Sequence, residues 1–402
     1  MENNSILDQI ISNQKAEEIA KLNAVEIIGN IFSNLNERER DVLSRRFGLR
    51  GNGKETLENI GKAHNLTRER IRQIEISGIK KLRQLDELED YIKGLRHVIT
   101  QLLEEHGGVM EKNYLLNNLV NFSVDGAKSE NVEEIHKNHL DFLIAKLLHN
   151  EFEEVLDSEY FKESFKLKYQ TLDHLEALAK ELLEKIREMK QIFYTHDLIN
   201  LAKELDGYKN NEEKLKTPNN IDISSALKSE LFEEDSELIN ENKSLYSLLR
   251  ALKRIEQNKF GYWGIEEWRE IKPKTINDKI YLILKNNGKP MHFAEIAAKI
   301  NEIGFDEKKA NPATVHNELI LDKKYILVGR GLYSLKEWGY KNGTVADVIV
   351  DLLKESPDGL TRDEIINKVF EQRMVKKATV ILALMDKNKF ERTENGKYKL
   401  KS

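Results

Sequence analysis

The 402 residues contain no cysteine. That excludes disulfides, cysteine-ligated zinc and a thiol nucleophile, and it suits a reducing cytosol. Proline is scarce, with 5 in all, and glycine numbers only 21, so helix breakers are thinly spread. No run of about 18 apolar residues exists, so no membrane-spanning helix is expected. The opening MENNSILDQI has no basic stretch leading into an apolar core, which is not the pattern of a secretory signal. A phosphate-binding P-loop, an HExxH pair and a GxSxG elbow are all missing. No enzyme activity and no cofactor are therefore expected. His136 and His139 stand at i, i+3 without a patterned third ligand, so they read as surface histidines and not as a metal site.

What is present is charge and helix-forming apolar spacing. Charged residues make up 33% of the chain and hydrophobic ones 40%, the balance of a soluble, helix-rich protein. The length accommodates two to four domains. Net charge is −5, which argues against indiscriminate coating of nucleic acid and permits one local basic surface.

That surface lies in TLENIGKAHNLTRERIRQIEISGIKKLRQL, Thr56 to Leu85. Leu57, Ile60 and Ala63 predict a first helix with one buried stripe. Asn65-Leu66 predicts a short break, and Thr67 can cap the next helix by accepting a backbone N–H. Ile71, Ile74, Gly78, Ile79 and Leu82 trace the second buried stripe. Gly78 costs about 1 kcal/mol relative to Ala inside a helix, which predicts a bend or fraying in its second half. From Lys62 to Arg83 there are seven Lys/Arg against Glu69 and Glu75, a local balance of +5. Two helices, a tight turn and a basic exposed start to the second predict a helix-turn-helix whose second helix enters the major groove.

With the preceding Leu35 to Leu49, the stretch resembles region 4 of bacterial primary sigma factors. The resemblance is carried by Leu35, Glu37-Arg38-Glu39, Arg46-Phe47-Gly48-Leu49, Thr56-Leu57-Glu58, Ile60-Gly61 and the unbroken run Thr67 to Glu75. It implies recognition of double-stranded DNA at a −35-like promoter element and docking on the β flap of core RNA polymerase. It places Arg68, Glu69, Arg72 and Gln73 at base-reading positions and Arg38, Thr56, Leu57 and Glu58 at backbone positions. Arg70 and Lys80, basic on the same helix, join the backbone set. The side-chain chemistry agrees: Arg grips guanine, Gln pairs adenine and Glu accepts from cytosine. No counterpart of the −10-reading region is legible before Leu35 or after Leu85, so opening promoters alone is not expected.

The rest of the chain reads as winged-helix order repeated. A weak N-terminal helix breaks near Ser12-Asn13, and a lead-in helix runs from about Lys15 to Leu35. Residues 86 to 170 predict a helix ending at Gly107-Gly108, a helix from Tyr114 to Val120, a loop from Asn121 to Asn131, a helix from Leu140 to Leu148 and a hairpin from Phe152 to Leu167. Residues 171 to 270 predict helices from Leu172 to Met189, from Thr195 to Leu205 with Thr195 as cap, and from Leu245 to Asn258. Acids at Glu230 to Glu241 read as a solvated face that repels phosphate.

Residues 275 to 340 predict three helices, the third with Asn311 as cap and Pro312 behind it, and a hairpin around Gly329-Arg330-Gly331. They resemble the HARE-HTH family, a winged-helix domain related to the N-terminal domain of the RNA polymerase δ subunit. The matching residues are Gly288 to Met291, Glu295-Ile296-Ala297, Asn311 to Val315, Glu318-Leu319, Val328 to Gly331 and Trp338-Gly339-Tyr340. Residues 341 to 402 repeat the scheme, with a third helix from Ala378 to Asn388 and a hairpin turning at Glu394-Asn395-Gly396.

The expected fold is mainly α, a helix-turn-helix followed by tandem winged-helix-like domains with small β-hairpins. Boundaries fall at 1–90, 91–170, 171–270, 271–340 and 341–402. The expected function is a sequence-specific transcription regulator in the bacterial cytoplasm at the nucleoid. The alternatives are a δ-like polymerase accessory subunit and an accessory protein of a DNA modification or restriction system. The sequence leaves the DNA site, the sign of regulation and the oligomeric state open.

Overall fold

The computed structural model describes residues 23–123, 130–156, 158–229, 231–341, 343–393 and 395–401. The chain is mainly helical, with small antiparallel sheets. It divides into two compact units, one up to Gln257 with Gly261–Glu266, the other Asn258–Phe260 with the residues from Glu267 onward.

The first unit begins with α1 (Ala24–Phe32), capped by the Asn23 side chain, which accepts from the Glu26 N–H at 3.2 Å. The sequence runs this helix to Leu35, but it stops at Phe32. Asn36 opens α2 (Glu37–Arg46) with a capping box: its side chain accepts from Glu39 N at 2.9 Å and the Glu39 carboxylate accepts from Asn36 N at 3.2 Å. That box holds Asn36 extended, at φ −71° and ψ 165°, so one helix cannot run through it. The weak helix before Ser12-Asn13 and the lead-in residues before Asn23 lie outside the described residues. Next come α3 (Leu57–His64) and α4 (Arg68–Arg83).

Then α5 (Leu88–Glu105), β1 (Val109–Glu111), α6 (Lys112–Ser123), α7 (Glu130–Phe142) and the hairpin β2 (Phe152–Val155) and β3 (Ser164–Leu167) follow in order. The sheet order is β1-β3-β2, with Met110 opposite Phe165 and Phe152 opposite Leu167. Residues 121–131 are not simply a loop. Helix α6 continues to Ser123 and α7 starts at Glu130, ten residues before Leu140; 124–129 lie outside the described residues. Val132, Ile135 and His139 form its inward stripe, and a histidine in an apolar position hid the period. A π-helical turn, Leu143–Leu147, completes the third helix.

The next repeat holds α8 (Asp173–Met189), α9 (Thr195–Glu204), the short α10 (Asp206–Lys209), α11 (Glu212–Leu215) and α12 (Ser236–Glu241), then α13 (Lys243–Ala251) and the hairpin β4 (Ile255–Gln257) and β5 (Trp263–Ile265). Phe193 bridges Trp263, so the segment after the first helix again meets the last strand. Two expectations are corrected here. Thr195 is not the cap; it is buried, accepts from Trp263 Nε1 at 2.9 Å and donates to Glu234 at 2.7 Å, leaving Tyr194 as the residue before the helix. The third helix ends at Ala251, not Asn258, because Leu252 bridges Phe161 and Lys253 N donates to the Tyr160 carbonyl at 2.7 Å.

The second unit carries two more repeats. One is α14 (Ile276–Asn287), β6 (Met291–His292), α15 (Phe293–Ile303), α16 (Pro312–Leu321), β7 (Tyr325–Leu327) and β8 (Leu332–Leu335), with sheet order β6-β8-β7. Asn311 caps α16, its side chain accepting from Ala313 N at 2.8 Å. The other is α17 (Val345–Lys354), α18 (Arg362–Gln372), α19 (Lys377–Leu384), β9 (Phe390–Arg392) and β10 (Tyr398–Leu400), with Leu360 bridging Tyr398. Here the third helix spans 377–384 instead of 378–388, and the hairpin residue Glu394 lies outside the described residues.

Buried histidine is expected to make the first unit acid-sensitive. His106 is fully buried, with Nδ1 2.7 Å from the Leu102 carbonyl and Nε2 3.3 Å from the Tyr114 hydroxyl. Burial pushes its pKa from 6.5 to about 3. The folded value lies below the unfolded one, so the contribution is complete above pH 6.5 and is lost as pH falls toward 3. At ~pH 5 the loss amounts to about 2 kcal/mol. Urea titrations at neutral pH and at ~pH 5 are expected to show that drop in the wild type and a smaller one in His106→Gln. An equal drop in both would remove His106 as the cause.

Candidate nucleic-acid interface

The interface is assembled by local chain stops. The Thr56 hydroxyl caps α3 by accepting from Asn59 N at 3.2 Å. Asn65, at φ +54°, ends α3 in the left-handed region, and Leu66 N returns to the Gly61 carbonyl at 2.9 Å. A Cβ on Gly61 would stand 2.7 Å from the Leu66 carbonyl oxygen, so glycine permits this tight turn. Thr67 caps α4 by accepting from Arg70 N at 3.2 Å.

Val42, Ile60, Ile71 and Ile74 form the small core, with Leu57 and Leu66 packed against it. Ala63 is exposed and Gly61 takes the inward place, because the next inward position after Ile60 is i+1 on this short helix, not i+3. Ile79 is only half buried. The fraying expected after Gly78 does not occur: α4 runs unbroken from Arg68 to Arg83. Gly78 instead admits α2, since its Cβ would lie 3.2 Å from Leu43 Cδ1.

The side chains expected to read bases, Arg68, Glu69, Arg72 and Gln73, are all exposed at the start of α4. Arg72 donates to both Glu69 oxygens, at 2.8 and 2.7 Å, and Arg70 donates to Gln73 at 3.1 Å. The hydrogen bond from Arg72 holds the Glu69 carboxyl below its usual value, and the same bond raises Arg72. Arg68, Arg38 and Lys80 make no side-chain hydrogen bond or ion pair among the described residues. Glu58 pairs with Lys62 at 3.0 Å.

A groove between the start of α2 and α4 brings Arg38, Arg70 and Gln73 together with Arg40, Arg50 and His64. Thr56, Leu57, Glu58, Arg68, Glu69, Arg72 and Lys80 lie outside its lining. Asp41 organises that floor, 2.7 Å from Arg50, 2.9 Å from His64 and 3.0 Å from Arg45. Burial raises its pKa, but the hydrogen bonds from Arg50 and His64 and the nearby arginine charges outweigh burial and lower it. Arg40, Arg50 and His64 were not among the expected site residues. Their polar spacing on separate elements carries no periodic signal.

The back of this module is fixed to α7 of the first winged repeat. Phe142 meets Phe32 edge-on at 5.8 Å and Phe47 at 4.8 Å. Lys54 reaches Asp141 at 2.8 Å, Asn138 donates to the Gly48 carbonyl at 3.2 Å, and Arg83 donates to the Lys146 carbonyl at 2.7 Å. Residues 68–73 stay open except for the buried Ile71.

Fold and surface together define a helix-turn-helix module with a polar, arginine-rich second helix. Residues 31–84 match the family model of Sigma-70, region 4. The chain is similar to RNA polymerase sigma factor SigA1 of Synechococcus elongatus, 45% identical over 80 residues, which is 19% of this chain and 20% of that protein. It is likewise 44% identical over 80 residues to SigA of Microcystis aeruginosa, covering 19% of each chain. To RpoS of Coxiella burnetii it is 39% identical over 88 residues, 21% of this chain and 25% of the relative. The match therefore spans about a fifth to a quarter of these relatives. No solved structure matches the chain. Among the described residues, no helix is long and apolar enough to cross a membrane, and no group of three or more His, Asp or Glu is placed to hold a metal ion.

Proposed function

We propose that this chain is a non-enzymatic, DNA-binding transcription regulator that uses its sigma region 4-like module at promoters together with RNA polymerase. The observation that supports this best is the exposed start of α4, where Arg68, Glu69, Arg72 and Gln73 project from a capped helix whose back is packed. Base contacts specify a site and phosphate contacts position the protein on it. We assign Arg68, Glu69, Arg72 and Gln73 to bases of a −35-like element. Arg38, Thr56, Leu57, Glu58, Arg70 and Lys80 we assign to the backbone, with the polymerase β flap as protein partner.

The Arg72–Glu69 pair makes this a coupled reader: Arg72 reaches a guanine only by loosening or sharing its carboxylate partner. Arg72→Ala is expected to weaken binding to the preferred site roughly ten- to hundredfold and to flatten the preference at one base pair. Arg38→Ala is expected to weaken all sequences alike and lower the salt slope by about one unit. Binding-site selection on both variants, with titrations at two salt concentrations, tests the assignment. An Arg72→Ala protein that keeps the wild-type preference would sink it.

For residues 275–340 we propose the HARE-HTH relationship, on the strength of the residues that resemble that family. It supports a second reading, a δ-like polymerase accessory subunit. We also propose the five-part division at 90, 170, 270 and 340, since each of the last four parts repeats the order helix, strand or bridge, helix, helix, hairpin.

A further inference from the structure

The last repeat is electrically polarised. Residues 341–372 hold four Lys/Arg and seven Asp/Glu, a balance of −3, whereas residues 373–402 hold nine and three, a balance of +6. The chain as a whole is −5, so this is a concentration of positive charge against the trend. Arg373 is buried and donates to the Leu327 carbonyl, and Lys387 and Lys389 lie between α19 and β9; the other six cations sit at the start of α19 and on or beside the β9–β10 hairpin. Lys377 lies 3.8 Å from Asp363, and Lys397 is close enough to Glu364 to help hold that carboxyl low, behind the hydrogen bonds from Thr361. Asp363 and Glu364 are neighbours in the first turn of α18, so the helix start and the returning strand of the hairpin converge beside it. Lys376 and Arg392 make no side-chain hydrogen bond or ion pair among the described residues.

The outward face of α19 decides what this surface does. It shows Ala378, Thr379 and Leu382, with Met385 just past its end; Leu382 and Met385 are 67% and 64% exposed. None of these reads a base edge bidentately as Arg, Gln or Asn does. Helix α4 carries polar readers, whereas α19 carries charge only at its start and on the adjoining hairpin. In the first unit the corresponding helices are spent on packing: α7 meets the helix-turn-helix module and α13 is buried against β1. Helix α16 has no Lys or Arg.

We propose that the start of α19 and the β9–β10 hairpin form a second, sequence-neutral contact face for duplex DNA phosphates. This rests on the reading of the chain as a duplex-binding regulator. Base recognition stays with α4; the last repeat adds affinity and salt dependence without preference. Each phosphate neutralised releases counterions and adds about 0.9 to the salt slope.

The test uses the full chain and a random-sequence duplex. The triple variant Lys376→Gln, Arg392→Gln, Lys397→Gln is expected to lower the salt slope by about 2–3 units and the affinity by about tenfold or more. Site preference is expected to stay unchanged. A control triple removes equal charge elsewhere: Lys185, Lys341 and Lys354 each lie 3.5–3.6 Å from an acidic neighbour, and each becomes Gln. It is expected to leave the slope within half a unit or so of wild type. Thermal unfolding of both triples separates lost contacts from lost structure. An unchanged slope in the face triple, or an equal loss in the control, overturns the proposal, and the first outcome would reassign the face to an acidic protein partner. A wild-type chain that fails to bind any duplex would instead overturn the broader reading.

Discussion

Lys243→Ala is expected to lower the unfolding free energy of the first unit by about 3–5 kcal/mol, because it strands a buried carboxylate. Lys243 and Glu105 are each 1% exposed and 2.7 Å apart, though 138 residues separate them in the chain. Lys243 Nζ also donates to Asn219 Oδ1 at 2.7 Å and to the Ile221 carbonyl. Glu105 accepts from Asn220 N at 3.1 Å and Ile221 N at 3.0 Å. One ion pair thus ties α5 of one repeat to α13 of the next and clamps the segment between α11 and α12. Removing the ammonium leaves the carboxylate with neutral donors and no counter-charge. The double variant Glu105→Leu, Lys243→Leu is expected to cost less than the single one, since it removes both charges together, although the Asn220 and Ile221 N–H groups then lose their acceptor. Urea denaturation of the three proteins reads this directly. A Lys243→Ala cost below ~1 kcal/mol would show that the pair is solvated in solution.

Phe142→Ala is the other large effect expected, at about 3–5 kcal/mol for a buried phenylalanine. Its consequence is also positional. The Phe142 ring packs between Phe32 of α1 and Phe47 behind α2, so its loss frees the helix-turn-helix module from the first winged repeat. Amide hydrogen exchange is expected to speed up across α1 and α2 far more than across α13, and the second unit is expected to be unaffected. Lys54→Ala, which removes only the half-exposed ion pair to Asp141, is expected to cost about 1 kcal/mol or less. Uniform acceleration across the first unit would mean that the module and the repeat unfold as one body.

Legibility from sequence followed the range of the forces. Caps at Thr67 and Asn311 were readable because a cap is settled within three residues. Thr195 looked the same, yet tertiary partners Trp263 and Glu234 took its hydroxyl. Gly78 looked like a weak point by propensity, yet it is buried where Leu43 approaches α4 closely. The start of α7 was missed because His139 occupies an inward position that a hydrophobic period does not register. The base-reading candidates could be named because a contiguous run on one helix is local; Arg40, Arg50 and His64 could not, because separate parts of the chain deliver them to one groove.

By itself, then, the sequence determined the helical character, the helix-turn-helix with its turn and the Thr67 cap, the order of arginines on α4 and the hairpins that close three of the four repeats. Those features depend on neighbours within one or two helical turns, where spacing and side-chain chemistry act directly. Tertiary structure alone decided which third helices became internal joints, which residue faces the small core beside Ile60, and that Lys243 and Glu105 would meet. Burial and pairing between distant segments follow from which apolar faces find each other, and charge loses its solvent only after that choice is made.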